Sequence, residues 1–170
     1  MWGPFRYSRT VTTKIRRAVL ADAEHIGPVH AQVWRETYRG ILSDQWIANV
    51  SEEERVTRWR LILGELNPAR QWVAEVDGMI VGFAASGPPR DAEPIRPLEL
   101  WSIHLLRENS RAGIGTALVQ AALGDAPASV WVVAANRPAQ HFYRALGFFA
   151  DGARDVLAFW ENIPELRMTR

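Results

Sequence analysis

The chain has 170 residues, 48% of them hydrophobic, which suits a single domain that buries about two-thirds of the surface its unfolded chain exposes. A net charge of +1 gives no bulk electrostatic case for nucleic acid or an anionic membrane, and the absence of cysteine excludes disulfides, thiolate metal sites and a covalent cysteine intermediate. Met1–Lys14 carries Arg6 and Arg9 but no apolar run of signal-peptide length, and no stretch approaches the roughly 20 apolar residues of a membrane span, so a cytoplasmic protein is expected.

Residues 1–13 show no periodicity and read as a flexible tail before one domain over 14–170. Lys14–Ala18 reads as a strand, and Asp22 as the cap of a helix with Ile26, Val29, His30 and Val33 at helical spacing. Gly40 breaks that pattern. Ser43 and Ser51 read as further caps, and Ser51 opens a capping-box-like Ser-Glu-Glu-Glu. The helix after it carries Val56, Trp59 and Leu63 on one face and stops at Gly64 and Pro68. Gln71–Val76 and Met79–Ser86 then form a hairpin about Asp77-Gly78. Four prolines make 88–97 a loop, Leu98–Leu106 is a strand, and Ala112–Leu123 is a helix with a glycine-rich start. Val130–Ala134 is an apolar strand, Pro138–Leu146 a helix closed by Gly147, and Phe148–Arg170 supplies one or two strands. This order predicts an α/β domain with a mixed sheet of six to seven strands and about four helices.

Ser110-Arg111-Ala112-Gly113-Ile114-Gly115-Thr116 joins a strand to an apolar helix. A helix start leaves N–H groups unpaired and carries partial positive charge, and two glycines let a phosphate approach the backbone. On spacing alone the segment reads equally as a phosphate cradle or as a tight turn with no ligand. It is not a Walker loop, because Thr116-Ala117 follows Gly115, and it lacks the third small residue of the dinucleotide fingerprint, where Leu118 stands.

Two segments carry a resemblance to the GNAT superfamily of acetyltransferases. The first is Glu99-Leu100-Trp101-Ser102-Ile103-His104-Leu105 followed by Ser110–Gly115 and Ala117-Leu118-Val119, similar to the family's fourth strand and its Gln/Arg-x-x-Gly-x-Gly/Ala loop. The second and more specific is Asn136 through Tyr143 to Gly147-Phe148, similar to the family's Asn…Phe-Tyr…Gly-Phe segment. A weaker third likeness runs from Ile15 through Asp22 to Val33–Tyr38. The chain departs from the pattern at Ser110, where the family's loop has Gln or Arg, and at Trp131, where some protein-acetylating members carry a carboxylate.

The resemblance implies an N-acetyltransferase that takes acetyl-coenzyme A as co-substrate, uses no metal, and acetylates a primary amine by direct attack in a ternary complex. The acceptor it suggests is a small-molecule amine; a protein or peptide acceptor, and a non-catalytic acyl-CoA-binding sensor, are the alternatives. Carried over, Ile103, His104 and Leu105 of a bulged fourth strand pair with the pantetheine arm, with Leu105 N–H meeting the acyl oxygen. Residues 110–116 hold the pyrophosphate, Asn136 binds the arm, and Tyr143 lies near the sulfur as acid for the leaving thiolate. Glu99 is the proposed base, directly or through water. His104 titrates near neutrality in water and is a lesser candidate, expected on the opposite side of the sheet. His25, His30 and His141 read as structural or exposed. Trp34, Tyr38, Trp46, Ser86, Glu99, Trp101 and Trp160 are expected to line the acceptor cleft. Trp34 and Tyr38 share a helix face, a spacing that a core stripe also requires. No acidic cluster is legible, which speaks against highly cationic acceptors. Neither nucleic acid nor membrane is an expected partner, and the chain is expected as a monomer or a homodimer paired through exposed strand edges.

Overall fold

Residues 11–64 and 70–170 are described in the computed structural model of the chain. Their elements are β1 (Thr13–Arg17), α1 (Ala23–Tyr38), α2 (Asp44–Ala48), α3 (Glu52–Gly64), β2 (Gln71–Val76), β3 (Met79–Gly87), β4 (Leu98–Leu105), α4 (Ile114–Leu123), β5 (Ala128–Val133), α5 (Arg137–Ala145), β6 (Phe149–Leu157) and β7 (Ile163–Thr169). The expected tail lies outside the described residues as far as residue 10, as does Pro68. Thr13 pairs with Val76, and Thr12 N–H donates to the Asp77 carboxylate at 3.0 Å, so the sheet begins earlier than the apolar pattern from Lys14 implies.

The seven strands form one mixed sheet in the order β1-β2-β3-β4-β5-β7-β6. Every neighbouring pair is antiparallel except β4–β5. A parallel pair needs a crossover, and α4 supplies it. The strand count matches the sequence reading, and five α-helices appear among the described residues because Ser43 caps a short one. There the Ser43 hydroxyl accepts from Trp46 N–H at 3.1 Å, and Ser51 likewise accepts from Glu54 N–H at 3.2 Å.

Asp22 departs from its expected role. It stands at the start of α1, but its carboxylate makes no cap bond to that helix. Instead it accepts from the Arg16 guanidinium at 2.7 and 2.8 Å and from Val19 N–H at 2.8 Å, tying β1 to the turn before α1. Burial raises the Asp22 pKa, and these bonds outweigh that effect, holding the carboxyl below its ordinary range.

α1 and α3 cover one face of the sheet, with Ala23, Ile26, Trp59 and Leu63 packed on Val73 and Phe83. α4 covers the other, where Ile114 and Leu118 meet Ala74 and Ala84. Tyr143 of α5 and Phe148 close on Leu100, Val130, Val132 and Met168. A fourth cluster joins Trp34 and Tyr38 to Leu42, Ile47, Val50 and, on β5, Val133. The sheet therefore carries helices on both faces, and the joint between its halves is the β4–β5 pair.

α1 and α3 approach closely at Gly27, where a built Cβ would lie 2.8 Å from the Val56 backbone nitrogen. A backbone atom cannot yield as a side-chain tip does, so Gly27→Ala must push the helices apart. The substitution is expected to lower unfolding free energy by about 1–3 kcal/mol. Urea denaturation of the two proteins measures this as a lower midpoint at unchanged slope.

Candidate active site

The β4–β5 pairing runs through Leu98↔Ala128, Glu99↔Ser129 and Leu100↔Val130 and stops there. β4 continues against β3 as far as Leu105↔Gly82, and β5 against β7 as far as Val133↔Glu165. The two strands thus share a short closed end and then part, leaving one edge of each without a strand partner. Such edges carry N–H and C=O groups that need partners from elsewhere.

A bulge sets which groups face the gap. Ser102 lies opposite Ala85 but Leu100 lies opposite Ser86, so Trp101 is an extra residue in β4. An extra residue shifts the alternation by one. Ile103 therefore packs with the Leu100 cluster, while His104 turns to the face of Phe83, its cross-strand partner. Leu106 N–H donates to Val81 O at 2.9 Å. Along a strand the backbone groups alternate in direction, so those of Leu105 and Ile103 turn to the gap and those of His104 to β3.

At the open end of the gap stands the start of α4. Arg111 (φ 66°) and Gly113 (φ 77°) are both left-handed, so the helix begins at Ile114, two residues later than the sequence pattern suggests. The first helical bond is Ala117 N–H to Gly113 O at 3.0 Å. The N–H groups of Ile114, Gly115 and Thr116 therefore have no helical partner. A Cβ built on Gly113 would meet nothing within 4 Å, so this turn opens outward. One built on Gly115 would sit 3.3 Å from the Phe142 ring, so Gly115 serves the packing of α4 against α5. Ser110 and Arg111 line the same opening.

α5 borders the gap from the β5 side. Asn136 caps it, its side-chain oxygen accepting from Ala139 N–H at 3.2 Å. Tyr143 lies seven residues on, about two turns along the same side of the helix; it is 6% exposed yet borders the cleft. Burial, reinforced by the nearby Tyr38, raises its pKa well above an ordinary phenol, so it stays protonated.

The whole opening is a cleft of about 1970 Å³. Its far wall is aromatic. Trp34 stacks on Trp46 with centroids 5.2 Å apart and meets Trp160 edge-on at 4.4 Å, while Tyr38 lies 5.6 Å from Trp160. His104 stacks on His30 at 5.2 Å, and His30 Nδ1 accepts from Trp59 Nε1–H at 3.0 Å. That bond assigns the His30 proton to Nε2, since an indole N–H can only donate. Burial lowers the pKa of His30 to about 2 and that of His104 to about 4, with the positive charge of Arg55 adding to both effects. Both rings are neutral at pH 7.

Glu99 is 4% exposed and accepts from Arg90 N–H at 2.9 Å. Burial raises its pKa, opposed by Arg90 and reinforced by Asp91 and Glu165. Glu165 on β7 is paired with the Arg90 guanidinium, which lies 4.4 Å over the Trp131 ring. Asp91 is in turn held by Arg167 at 3.1 Å. An acidic cluster does exist here, contrary to the sequence reading. It is assembled from β4, a loop and β7, and its charge is answered by two arginines.

Of the expected site residues, the fold brings Trp34, Tyr38, Trp46, Glu99, Trp101, Ile103, His104, Leu105, Ser110, Arg111, Gly113, Gly115, Thr116, Asn136, Tyr143 and Trp160 to one cleft. Ser86 does not belong there: it is buried, and its hydroxyl donates to Ala122 O at 2.8 Å beneath α4. His104 faces the side opposite Ile103, and the Trp101 bulge puts its side chain on the same side as Glu99. His30, expected to be structural or exposed, borders the cleft against His104, while His25 and His141 are exposed. Arg55, Arg90 and Glu165 went unrecognised. Arg55 is four residues before Trp59 and so flanks the same α3 face, a signal the sequence does hold. Nothing local marks Arg90 or Glu165.

Among the described residues, no group of three or more His, Asp or Glu is placed to hold a metal ion, and no helix is long and apolar enough to cross a membrane. The comparisons with known proteins agree with the geometry. The chain is 31% identical over 138 residues to the uncharacterised N-acetyltransferase YuaI of Bacillus subtilis, covering 77% of each chain. It is 27% identical to the probable N-acetyltransferase Rv2775 of Mycobacterium tuberculosis over 82% of this chain and 81% of that one. The PaiA N-acetyltransferase of Thermoplasma acidophilum, solved in complex with coenzyme A, superposes with a TM-score of 0.64 at 19% identity over 94% of this chain and 99% of that one. Residues 32–148 match the model of the acetyltransferase (GNAT) family, and with that match and the YuaI identity the chain belongs to that family of N-acetyltransferases.

Proposed function

We propose that this chain moves the acetyl group of acetyl-coenzyme A to the primary amine of a small molecule, in a ternary complex without a covalent enzyme intermediate. The observation that carries the reading is the gap between β4 and β5, open at the end where α4 presents free N–H groups and lined at its closed end by Glu99 and Tyr143. The fit to the co-substrate rests on the same features. The open turn at Gly113 and the first-turn N–H groups suit a pyrophosphate, with Ser110, Arg111 and Ala112 completing the loop. The PaiA complex with coenzyme A supports the same choice. A chain without cysteine fits a cytoplasmic setting.

Acetyl-coenzyme A supplies a thioester, which an uncharged amine attacks at the carbonyl carbon. Gap-facing groups of Ile103 and Leu105 hold the pantetheine arm, and Asn136 borders the same path. The arm runs from α4 toward the closed end, so the Ile103 N–H, nearer that end, replaces Leu105 as donor to the acyl oxygen. His104 then serves the acceptor side through its ring. The Tyr143 phenol, kept protonated by burial, donates to the leaving thiolate. Glu99 receives the acceptor's proton, directly or through water, and its raised pKa brings it nearer neutrality. Trp34, Tyr38 and Trp101 flank the acceptor and hold it near the sulfur.

Three measurements test this. Thiol release from acetyl-CoA across a panel of small amines and peptides is expected with small amines; turnover on peptides alone, or tight acetyl-CoA binding with no turnover, contradicts it. Tyr143→Phe is expected to lower kcat by about a hundredfold while the acetyl-CoA Kd stays put; an unchanged kcat removes Tyr143 from the mechanism. A base must be ionised to act, so kcat/KM is expected to rise with pH through a pKa above the ordinary carboxylate range. Glu99→Gln abolishes that limb of the profile, and its persistence in the variant excludes Glu99 as the base.

A further inference from the structure

The acceptor side of the cleft holds a cation without an anion. Arg55 projects from α3 so that its guanidinium carbon lies 4.4 Å over the Trp34 ring. It is half-buried, and its Nε–H is buried with no hydrogen-bond partner. Among the described residues no carboxylate lies within ion-pair distance of it, and Glu54, its chain neighbour, contributes the weakest of the fields acting on it. Burial and the charge of Arg58 both act to lower its pKa, yet a guanidinium stays charged. Of the other arginines lining the cleft, Arg90 is paired with Glu165 and Arg107 donates to Glu36 O, while Arg58, Arg70 and Arg111 are exposed to solvent.

A second donor beside it is also unanswered. Trp34 Nε1–H is buried without a partner, in the ring on which the guanidinium stacks. Buried donors are nearly always paired, because leaving one unpaired forfeits its hydration without replacing it. Two such donors on side chains that stack on each other, one of them charged, describe a place for an anionic oxygen ligand. The field of Arg55 reaches both His30 and His104, and His104 lies between Ile103 and Leu105, so this place adjoins the strand that holds the pantetheine arm. The cofactor's own phosphates belong at the start of α4, across the sheet from α3.

We infer that the acceptor carries a carboxylate as well as its amine, and is an amino acid with an apolar side chain: the carboxylate lies on Arg55 beside Trp34, and the apolar body lies against Trp34, Trp46 and Trp160. This deepens the acetyltransferase reading and rests on it. A planar carboxylate matches the guanidinium fork and supplies the lone pairs both donors lack. The aromatic wall takes apolar area without adding charge. Binding of such an acceptor would also neutralise the charge that Arg55 imposes on the histidine pair.

The test compares acids with their amides. Titration calorimetry of the protein, with and without coenzyme A, is run against the N-acetyl derivatives of phenylalanine, leucine and methionine and against the carboxamides of the same compounds. At least one acid is expected to bind about tenfold or more tightly than its amide, the size of a charge-assisted pair. In Arg55→Met, which keeps an unbranched chain on Trp34, that acid is expected to fall to the affinity of its amide, with acetyl-CoA affinity reporting an intact fold. If no acid exceeds its amide in the unaltered protein, or if the preference survives in Arg55→Met, the inference is wrong. Thiol release by the parent amines is scored separately. Its absence with every amine contradicts the acetyltransferase reading, while the acid-to-amide comparison still decides the role of Arg55.

Discussion

Everything else in this molecule depends on where β4 and β5 stop pairing. Three residue pairs from Leu98↔Ala128 to Leu100↔Val130 join the halves of the sheet, and the strands then diverge. A buried strand edge is costly to leave without partners, so a fold keeps one only where something else fills it. Here the surroundings keep it open. The Trp101 bulge twists β4 away, its indole lies against Gly87 with Nε1–H donating to Pro88 O at 2.9 Å, and α4 and α5 brace the two sides through Gly115 and Phe142. The single parallel pair of the sheet is also the place where ligands gather in open α/β sheets, at the carboxyl ends of strands.

The two faces flanking the gap differ in electrostatics. On the α4 side, free N–H groups and the helix dipole offer positive potential without a buried side-chain charge. On the α1 and α3 side, burial strips the charge from His30 and His104 and raises the carboxyls of Glu99 and Glu165. A low-dielectric region of this kind strengthens each remaining interaction, so the charge of Arg55, with no carboxylate in ion-pair distance among the described residues, acts strongly on its neighbours. Glu99 and Glu165 show the opposite solution: a pair of carboxylates brought together and held by Arg90, whose guanidinium rests on Trp131.

The sequence carried the parts of this architecture that are local. Glycine and serine at element ends, the Asp77-Gly78 turn, and the apolar run over 130–133 mark elements by short-range chemistry, and the observed bounds differ by a residue or two. The glycine-rich loop and the Asn136…Tyr143…Phe148 segment were legible for the same reason. What stayed hidden is what tertiary packing decides. The resemblance implies a bulged fourth strand, but nothing in the strand's own residues places the bulge at Trp101, the position that puts His104 on the side of Glu99. Asp22 looked like a helix cap because nothing in its neighbourhood discloses that Arg16 claims its carboxylate. Ser86 is expected in the cleft, but its hydroxyl donates instead to the carbonyl of Ala122, 36 residues away. Arg90 with Glu165, and Arg55 with Trp34, are meetings of distant segments that no motif announces.

The account turns on backbone groups, and these are observable one by one. Amide hydrogen exchange followed by NMR, with and without acetyl-coenzyme A, reports each N–H of β4 and of the α4 start. The expected result is new protection at Ile103, Leu105, Ile114, Gly115 and Thr116 on binding, with His104, already turned to β3, unchanged. Protection confined to other segments, or binding that leaves the β4 edge and the α4 start as exchangeable as before, would contradict the gap as the place where the co-substrate is held.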